Sequence, residues 1–169
     1  MPTNVEIKAR VNDFEALQKL AERLSDTPCQ IIPQEDTFFY SPHGRLKLRV
    51  LAPDRGQLVY YLRPDAAGPK CSEYHIFETS DPAGLKLILA TALGVRGEVS
   101  KTRYLFLTGQ TRIHLDDVKG LGQFVELEVV MHPGQNEAEG QVIAEGLMRK
   151  LGIQPTDLIE LAYMDLLEK

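Results

Sequence analysis

The sequence lacks the features of a membrane, extracellular or zinc-binding protein. Its 169 residues include no run of about 18 apolar residues, so we expect no transmembrane helix and no membrane partner. The N-terminus, MPTNVEIKAR, has no apolar signal region. There are two cysteines, Cys29 and Cys71, without C-x-x-C spacing. This pattern is against a disulfide scaffold or a thiolate zinc site and is typical of the reducing cytoplasm.

Common catalytic and nucleotide-binding motifs are also missing. There is no P-loop, no G-x-G-x-x-G after a predicted strand and no G-x-S-x-G. The net charge of -5 is against a general nucleic-acid surface. What remains is a chain with 43% hydrophobic and 25% charged residues, which predicts one globular domain over residues 1–169.

Alternation of apolar and polar residues is the main local signal, and it predicts many short strands. A capping-box pattern, Asn12 with Glu15, is predicted to begin the first helix. About eight strands in one domain favour a mixed or mainly antiparallel sheet that curls or closes. The predicted strands are 5–11, 44–50, 57–64, 72–79, 98–108 and the hairpin 111–130, and the predicted helices are 12–24, 81–94, 136–152 and 156–169.

Positive charge is concentrated at the alternating polar positions of these strands, which we call their polar phase, although the whole chain is acidic. A solvent-exposed face is the ordinary explanation of polar residues on strands. Such a face normally mixes signs, however, because like charges opposite each other destabilise a sheet. In a closed barrel one phase must face inward, where bare cations repel each other and need a polyanion such as phosphate. The nine basic members are Lys8, Arg10, Arg45, Lys47, Arg49, Arg63, Lys101, Arg103 and Arg112, and the four acidic ones are Glu6, Asp116, Glu126 and Glu128.

Three carboxylates in this phase have the spacing of a metal site. Glu126 and Glu128 are two residues apart on one predicted strand, so both point the same way at roughly 6.5–7 Å. Together with Glu6 they could hold Mg²⁺ or Mn²⁺, which prefer oxygen ligands. Structural ion pairs with neighbouring Lys and Arg are the alternative. His114 is interpreted as a structural histidine rather than a ligand.

These residues, in this order, resemble the CYTH superfamily, also called triphosphate tunnel metalloenzymes. The family signature E-x-E-x-K is matched by Asn4, Glu6 and Lys8. The segments GRLKLR, YYLRPD, GPKCSEY, KTRYLF, TRIHLDDVKGLGQFVELEV and YMDLL look most like the class IV adenylyl cyclase branch. The resemblance covers nearly the whole chain. It implies an α+β fold in which a closed eight-stranded antiparallel β-barrel, with surrounding helices, binds a triphosphate and a divalent metal.

The resemblance also implies roles for individual residues. Lys101 and Arg103 would act in catalysis by neutralising the departing phosphates, and Asp116 or a metal-bound hydroxide would be the base. The first signature glutamate is Asn4 here, so one negative charge is missing. The implied metal ligands are Glu6, Glu126, Glu128 and Asp116, and the implied phosphate-binding residues are Lys8, Lys47, Arg49, Arg63, Lys70, Lys101, Arg103 and Arg112.

The function implied by the resemblance is conversion of ATP to cyclic AMP and pyrophosphate with Mg²⁺ or Mn²⁺. A triphosphatase, in which water attacks the terminal phosphorus, is the alternative, because fold does not fix function. The thiamine triphosphatase branch is associated with a tryptophan platform, and this chain has no Trp. A third reading, kept open by Asn4, is a non-catalytic sensor of nucleotide or polyphosphate. The cyclase branch also suggests a homodimer.

Overall fold

The computed structural model describes residues 3–62 and 68–168 and places eight strands in one closed barrel. Four α-helices lie around the barrel. The strands are β1 (Thr3–Arg10), β2 (Gln30–Phe39), β3 (Arg45–Ala52), β4 (Arg55–Leu62), β5 (Lys70–Thr79), β6 (Val95–Thr108), β7 (Thr111–Val118) and β8 (Gly122–Val130). The helices are α1 (Phe14–Leu24), α2 (Pro82–Leu93), α3 (Glu137–Leu151) and α4 (Tyr163–Leu167), with a 3₁₀ turn at Pro155–Asp157.

Every strand pairs with its neighbours in antiparallel orientation, and the pairing closes on itself. The order around the barrel is β1-β5-β4-β3-β2-β6-β7-β8, and β8 returns to β1. Closure gives each of the eight strands a neighbour on both sides. The α+β fold with a closed eight-stranded antiparallel barrel, predicted from the sequence, is therefore confirmed.

The apolar phase of the strands faces outward and is covered by helices. Ile7 of β1, Ile113 of β7 and Leu127 of β8 are almost fully buried under α1 and α3. Leu147 and Leu151 of α3 pack into the same cluster. Burying a Leu or Ile side chain contributes roughly 1.5–3 kcal/mol, so this outer layer stabilises the barrel without filling its interior. The polar phase is thereby directed into the barrel.

Two helix starts show how local sequence fixes the covering layer. The predicted capping box of α3 is present: Glu139 N donates to Asn136 Oδ1 at 2.9 Å, and Asn136 N donates to Glu139 Oε2 at 2.8 Å. The prediction that Asn12 caps α1 is wrong. Asp13 is the cap, and its carboxylate accepts a hydrogen bond from Ala16 N at 3.1 Å.

Strand β2 was not predicted from the sequence. The segment QIIPQEDTFF contains Pro33 and four consecutive polar residues, which hide the alternation. It forms a strand because β3 and β6 offer backbone partners on both sides. With β2 between β3 and β6, the eight strands close the barrel.

The C-terminal segment differs from the single helix predicted at 156–169. The residues between the 3₁₀ turn and α4 run extended beside β1. Within the described residues, β5 pairs with β1 as far as Glu6. Ile159 N donates to Lys8 O at 2.9 Å, and Leu158 bridges to Ala9. This backbone pairing with β1 takes the place of helix formation over these residues.

Among the described residues, no helix combines the length and apolar character needed to cross a membrane.

Candidate functional site: a charged tunnel inside the barrel

The barrel encloses a cavity of about 590 Å³. Side chains from all eight strands line it, and they come mainly from the polar phase of each strand. One wall, formed by β1 and β8, is acidic. The basic wall across the lumen runs over β3, β2 and β6, with its cations on β3 and β6, and the β4–β5 wall carries Val59, Tyr61, Tyr74 and Ile76. The lumen therefore brings opposite charges to opposite sides of one enclosed space.

The acidic wall brings together Glu6, Glu126 and Glu128. Glu6 of β1 lies opposite Glu128 of β8, and Lys8 lies opposite Glu126. Lys8 Nζ is 3.4 Å from Glu126 Oε1, and Arg112 of β7 pairs with Glu128. Burial alone would raise the pKa of Glu126, but Lys8, Lys101 and Arg103 hold that pKa well below its usual range. The carboxylate is therefore ionised at neutral pH.

This wall has a donor set that suits a hard divalent cation. Asn4 is 2% exposed, and its Oδ1 accepts no hydrogen bond from any described residue. An orphaned amide oxygen beside ionised carboxylates matches the oxygen ligands of Mg²⁺ or Mn²⁺. No group of three His, Cys, Asp or Glu side chains in the described ranges 3–62 and 68–168 is gathered closely enough to hold an ion alone. The donors therefore suit a hard divalent cation in type, and the described carboxylates do not by themselves form a complete ligand shell.

The basic wall is built from two copies of one arrangement, which we call the K-x-R units. Each unit has Lys-x-Arg on one strand and an Asp on the neighbouring strand. In the first unit, Arg49 Nε and Nη2 donate to Asp36 Oδ1 and Oδ2, both at 2.8 Å. Lys47 Nζ lies 3.8 Å from Asp36 Oδ2.

The second K-x-R unit lies on β6 and β7. Arg103 Nε and Nη2 donate to Asp116 Oδ1 and Oδ2, again at 2.8 Å. Lys101 Nζ is 3.3 Å from Asp116 Oδ2. Burial alone would raise the pKa of Asp116, but Arg103 and Lys101 hold it far below its usual range. Each aspartate is thus an ionised anchor for two cations.

Burial and crowding change the protonation of the lysines in this wall. Burial and the neighbouring Arg49 lower the pKa of Lys47 to about 7, although Asp36 opposes the shift. The pKa of Lys101 is also lowered, by burial and by Arg103. A polyanion bound between them would favour the charged form of both lysines.

One end of the lumen is covered by the C-terminal segment. Tyr163 is 5% exposed, and its hydroxyl donates to Asp116 Oδ2 at 3.0 Å. Its ring centroid lies 3.9 Å from Lys8 Nζ and 4.9 Å from Lys101 Nζ. Lys70 Nζ donates to the carbonyl of Glu160 at 2.8 Å. Contacts with the lumen lysines Lys8 and Lys101, and with the buried Lys70 and Asp116, hold this cover in place.

The site residues predicted from the sequence fall into three groups. Most of them line the lumen: Glu6, Lys8, Lys47, Arg49, Lys101, Arg103, Arg112, Glu126 and Glu128. Asp116 and Lys70 are buried just behind this lining, against Arg103 and the C-terminal segment. Arg63 lies outside the described residues. Of the other strand cations, Arg10 is exposed beside the Phe124 ring, and Arg45 pairs with Asp165 of α4.

Two residues of the site were missed in the sequence. Asp36 belongs to β2, where consecutive polar residues leave no alternation that would mark it as inward-facing. Tyr163 lies in a segment with no strand or metal pattern, and nothing in its sequence neighbourhood reveals its position. His114 is 4% exposed, and burial together with Arg103 lowers its pKa to about 3, so the ring is neutral.

Comparison with solved structures finds the same fold in other proteins. The PH1012 protein of Pyrococcus horikoshii OT3 is 26% identical, with a TM-score of 0.84 over 96% of this chain and 98% of that one. A candidate adenylate cyclase of Vibrio parahaemolyticus is 17% identical, with a TM-score of 0.78 over 98% of both chains. The Hippeastrum protein HpAC1, described as having a dominant triphosphatase activity, is 15% identical, with a TM-score of 0.67 over 99% and 95% of the two chains.

Sequence comparison identifies the family of this chain but finds no match among individual curated proteins. No curated protein sequence matches the chain. The CYTH domain model, in contrast, matches residues 2–163, which is nearly the whole chain. Together with the closed barrel, this match shows that the chain belongs to the CYTH domain family.

Proposed function

We propose that the protein is a divalent-metal-dependent enzyme that acts on an organic triphosphate in the barrel lumen, as an adenylate cyclase that forms cyclic AMP and pyrophosphate from ATP. The observation that carries the proposal is the pair of facing walls. The basic wall suits a chain of phosphates, and the acidic wall suits a metal bound to them. Proteins of this family are typically enzymes, and the Vibrio and Hippeastrum neighbours are named for nucleotide cyclase or triphosphatase activity.

The lining between the charged walls supports an organic rather than an inorganic substrate. Val59, Tyr61, Tyr74 and Ile76 offer an apolar and aromatic surface beside the phosphate-binding cations. Such a surface suits a nucleoside, whose base is flat and largely apolar.

In the proposed mechanism, the basic wall holds the triphosphate in one pose. Arg49 and Arg103 present planar N–H donors to phosphate oxygens, while Lys47 and Lys101 supply point charges. These cations neutralise the charge that builds up on pyrophosphate as it leaves the α-phosphorus, which the ribose 3′-hydroxyl attacks. Glu6, Glu126 and Glu128, with Asn4, would hold the metal, which when bound neutralises phosphate charge.

Asp116 was a candidate for the base or for a metal ligand, and both roles stay predictions. Its two oxygens accept hydrogen bonds from Arg103 and Tyr163. The depressed pKa makes this carboxylate a weak proton acceptor. We therefore assign Asp116 a positioning role, in which it orients Arg103.

We also propose a cytoplasmic location. Cys29 and Cys71 are both unpaired thiols in the structure. Free thiols are stable in a reducing compartment, which supports this location.

Product analysis tests the proposed activity. The protein is incubated with ATP and Mn²⁺ or Mg²⁺, and the nucleotides and phosphates are separated. We expect cyclic AMP and pyrophosphate in equal amounts, with no product after chelation of the metal by EDTA. ADP with phosphate would replace the cyclase assignment by a triphosphatase. Binding without any product would contradict an enzyme and favour a sensor.

A further inference from the structure

Asp36 is a buried carboxylate to which the proposed mechanism gives no role. It lies on β2, directly across from Arg49 on β3, and is 3% exposed. Both of its oxygens accept hydrogen bonds from the Arg49 guanidinium at 2.8 Å. Its burial would raise its pKa, but Arg49 and Lys47 lower it far below the usual range. A charged group is buried here at considerable cost, which calls for a functional reason.

The Asp36–Arg49 pair repeats the geometry of the Asp116–Arg103 pair, and this repetition indicates how Asp36 acts on Arg49. Arg49 and Arg103 are both held by Nε and Nη2 on a carboxylate from the adjacent strand, with the same two distances of 2.8 Å. In both cases a lysine two residues earlier approaches the same aspartate. The two units lie on different strand pairs, β2–β3 and β6–β7. The shared feature is a guanidinium locked along one edge.

Because Asp36 holds one edge of the Arg49 guanidinium, the N–H donors on the opposite edge point in a fixed direction. A guanidinium has five N–H donors in a rigid plane, and Asp36 occupies two of them. Arg49 itself lines the lumen. The remaining donors are therefore fixed before a ligand arrives, and less side-chain entropy is lost on binding.

We propose that Asp36 is a positioning residue for phosphate binding, which holds Arg49 so that its remaining N–H donors meet a phosphate oxygen. This inference rests on the proposed triphosphate site. It adds a residue of β2 to that site, and it explains why an anion-binding wall contains a buried anion.

The effect of Asp36→Asn on tripolyphosphate affinity has opposite signs if Asp36 positions Arg49 and if it contributes only its charge. Asp36→Asn removes a negative charge from the basic wall. If charge alone mattered, the variant would bind an anion more tightly. If Asp36 positions Arg49, binding weakens because the guanidinium becomes free to rotate or turns toward other groups. We expect the dissociation constant for tripolyphosphate, measured by titration calorimetry, to rise about tenfold or more.

Glu35→Gln is the matched control variant. Glu35 is the neighbouring residue on β2, is exposed on the outer face, and loses the same charge. Its affinity for tripolyphosphate should stay within about twofold of the wild type, because exposed charges interact weakly over such distances. A similar loss in both variants would overturn the proposal.

A measurement on the wild-type protein covers the case in which Asp36→Asn fails to fold. The Nε–H group of Arg49 is observed by ¹⁵N NMR and assigned through its loss in Arg49→Lys. We expect a slowly exchanging signal that persists when tripolyphosphate is added, since the bonds to Asp36 are kept. A rapidly exchanging signal, or its loss on ligand binding, would overturn the positioning role.

The outcomes distinguish this inference from the proposed function on which it rests. Wild-type protein that does not bind tripolyphosphate overturns both. Wild-type binding together with equal or tighter binding by Asp36→Asn overturns the role of Asp36 and leaves the phosphate site standing. Weaker binding by Asp36→Asn, with Glu35→Gln unchanged, supports the proposal.

Discussion

Glu126→Gln and Glu128→Gln are each expected to lower turnover of the triphosphate substrate by roughly 10²-fold or more, the loss typical when one charge-stabilising element of a site is removed. Both side chains line the acidic wall, and the replacement removes an anionic oxygen with little change in shape. The metal that they would hold is then bound less tightly. Steady-state rates and Mn²⁺ affinity, measured by electron paramagnetic resonance, should fall together.

Glu98→Gln is the control for loss of charge alone. Glu98 lies on β6 outside the lumen, and its carboxylate accepts a hydrogen bond from Lys86 of α2 at 2.7 Å. Turnover and Mn²⁺ affinity should match the wild type in this variant. If Glu126→Gln and Glu128→Gln also kept both, the acidic wall would consist of structural ion-pair partners for Lys8 and Arg112.

Asp116→Asn is expected to reduce the free energy of unfolding by about 3–5 kcal/mol, because it breaks a buried ion pair and leaves the other charges without compensation. Asp116 is fully buried and accepts hydrogen bonds from Arg103 and the Tyr163 hydroxyl. The matched control is Asp117→Asn. Asp117 is the next residue of β7 and is exposed, so its replacement should change stability by no more than about 0.5 kcal/mol. Urea denaturation of both variants gives the comparison.

Acid titration gives a second test of the same ion pair. The folded-state pKa of Asp116 is below the unfolded value, so the pair contributes its full stability above about pH 4. That contribution is lost as the pH falls toward the folded-state pKa. Wild-type stability should therefore decline below about pH 4 more steeply than that of Asp116→Asn. If the free energy of unfolding fell with the same slope below about pH 4 in the wild type and in Asp116→Asn, the result would contradict this account.

The parts of the fold with regular alternation could be predicted from the sequence, and the irregular parts could not. Through the middle of β1 and of both strands of the β7–β8 hairpin, every second residue is apolar and buried, so pattern and structure agree there. In β2, Pro33 interrupts the pattern, and the inward Asp36 follows the outward Glu35 with no change of polarity. The segment before α4 is extended because its backbone pairs with β1, and the local sequence does not reveal this tertiary contact.

For the site, the sequence could show which side chains share a phase but not how they pair. It predicted mutually repelling cations inside a barrel. In the structure, Arg49 and Arg103 each have a carboxylate partner, and the partner of Arg49 lies on the strand that was missed. Arg45 shares a phase with Lys47, yet it pairs with Asp165 of α4 because it lies near the end of the barrel. Removing Arg49 or Arg103 would therefore leave a buried carboxylate without its partner rather than relieve repulsion.

The central claim is that the lumen is built for a chain of phosphates, and thermal unfolding with tripolyphosphate tests it most directly. A ligand that binds the folded state at a hundred times its dissociation constant adds roughly 2.7 kcal/mol of stability. For a domain of this size, that corresponds to a rise in melting temperature of about 5–10 °C. Citrate at equal ionic strength controls for loose anion screening. The account predicts this rise with tripolyphosphate and little change with citrate. Equal shifts with the two anions would contradict it.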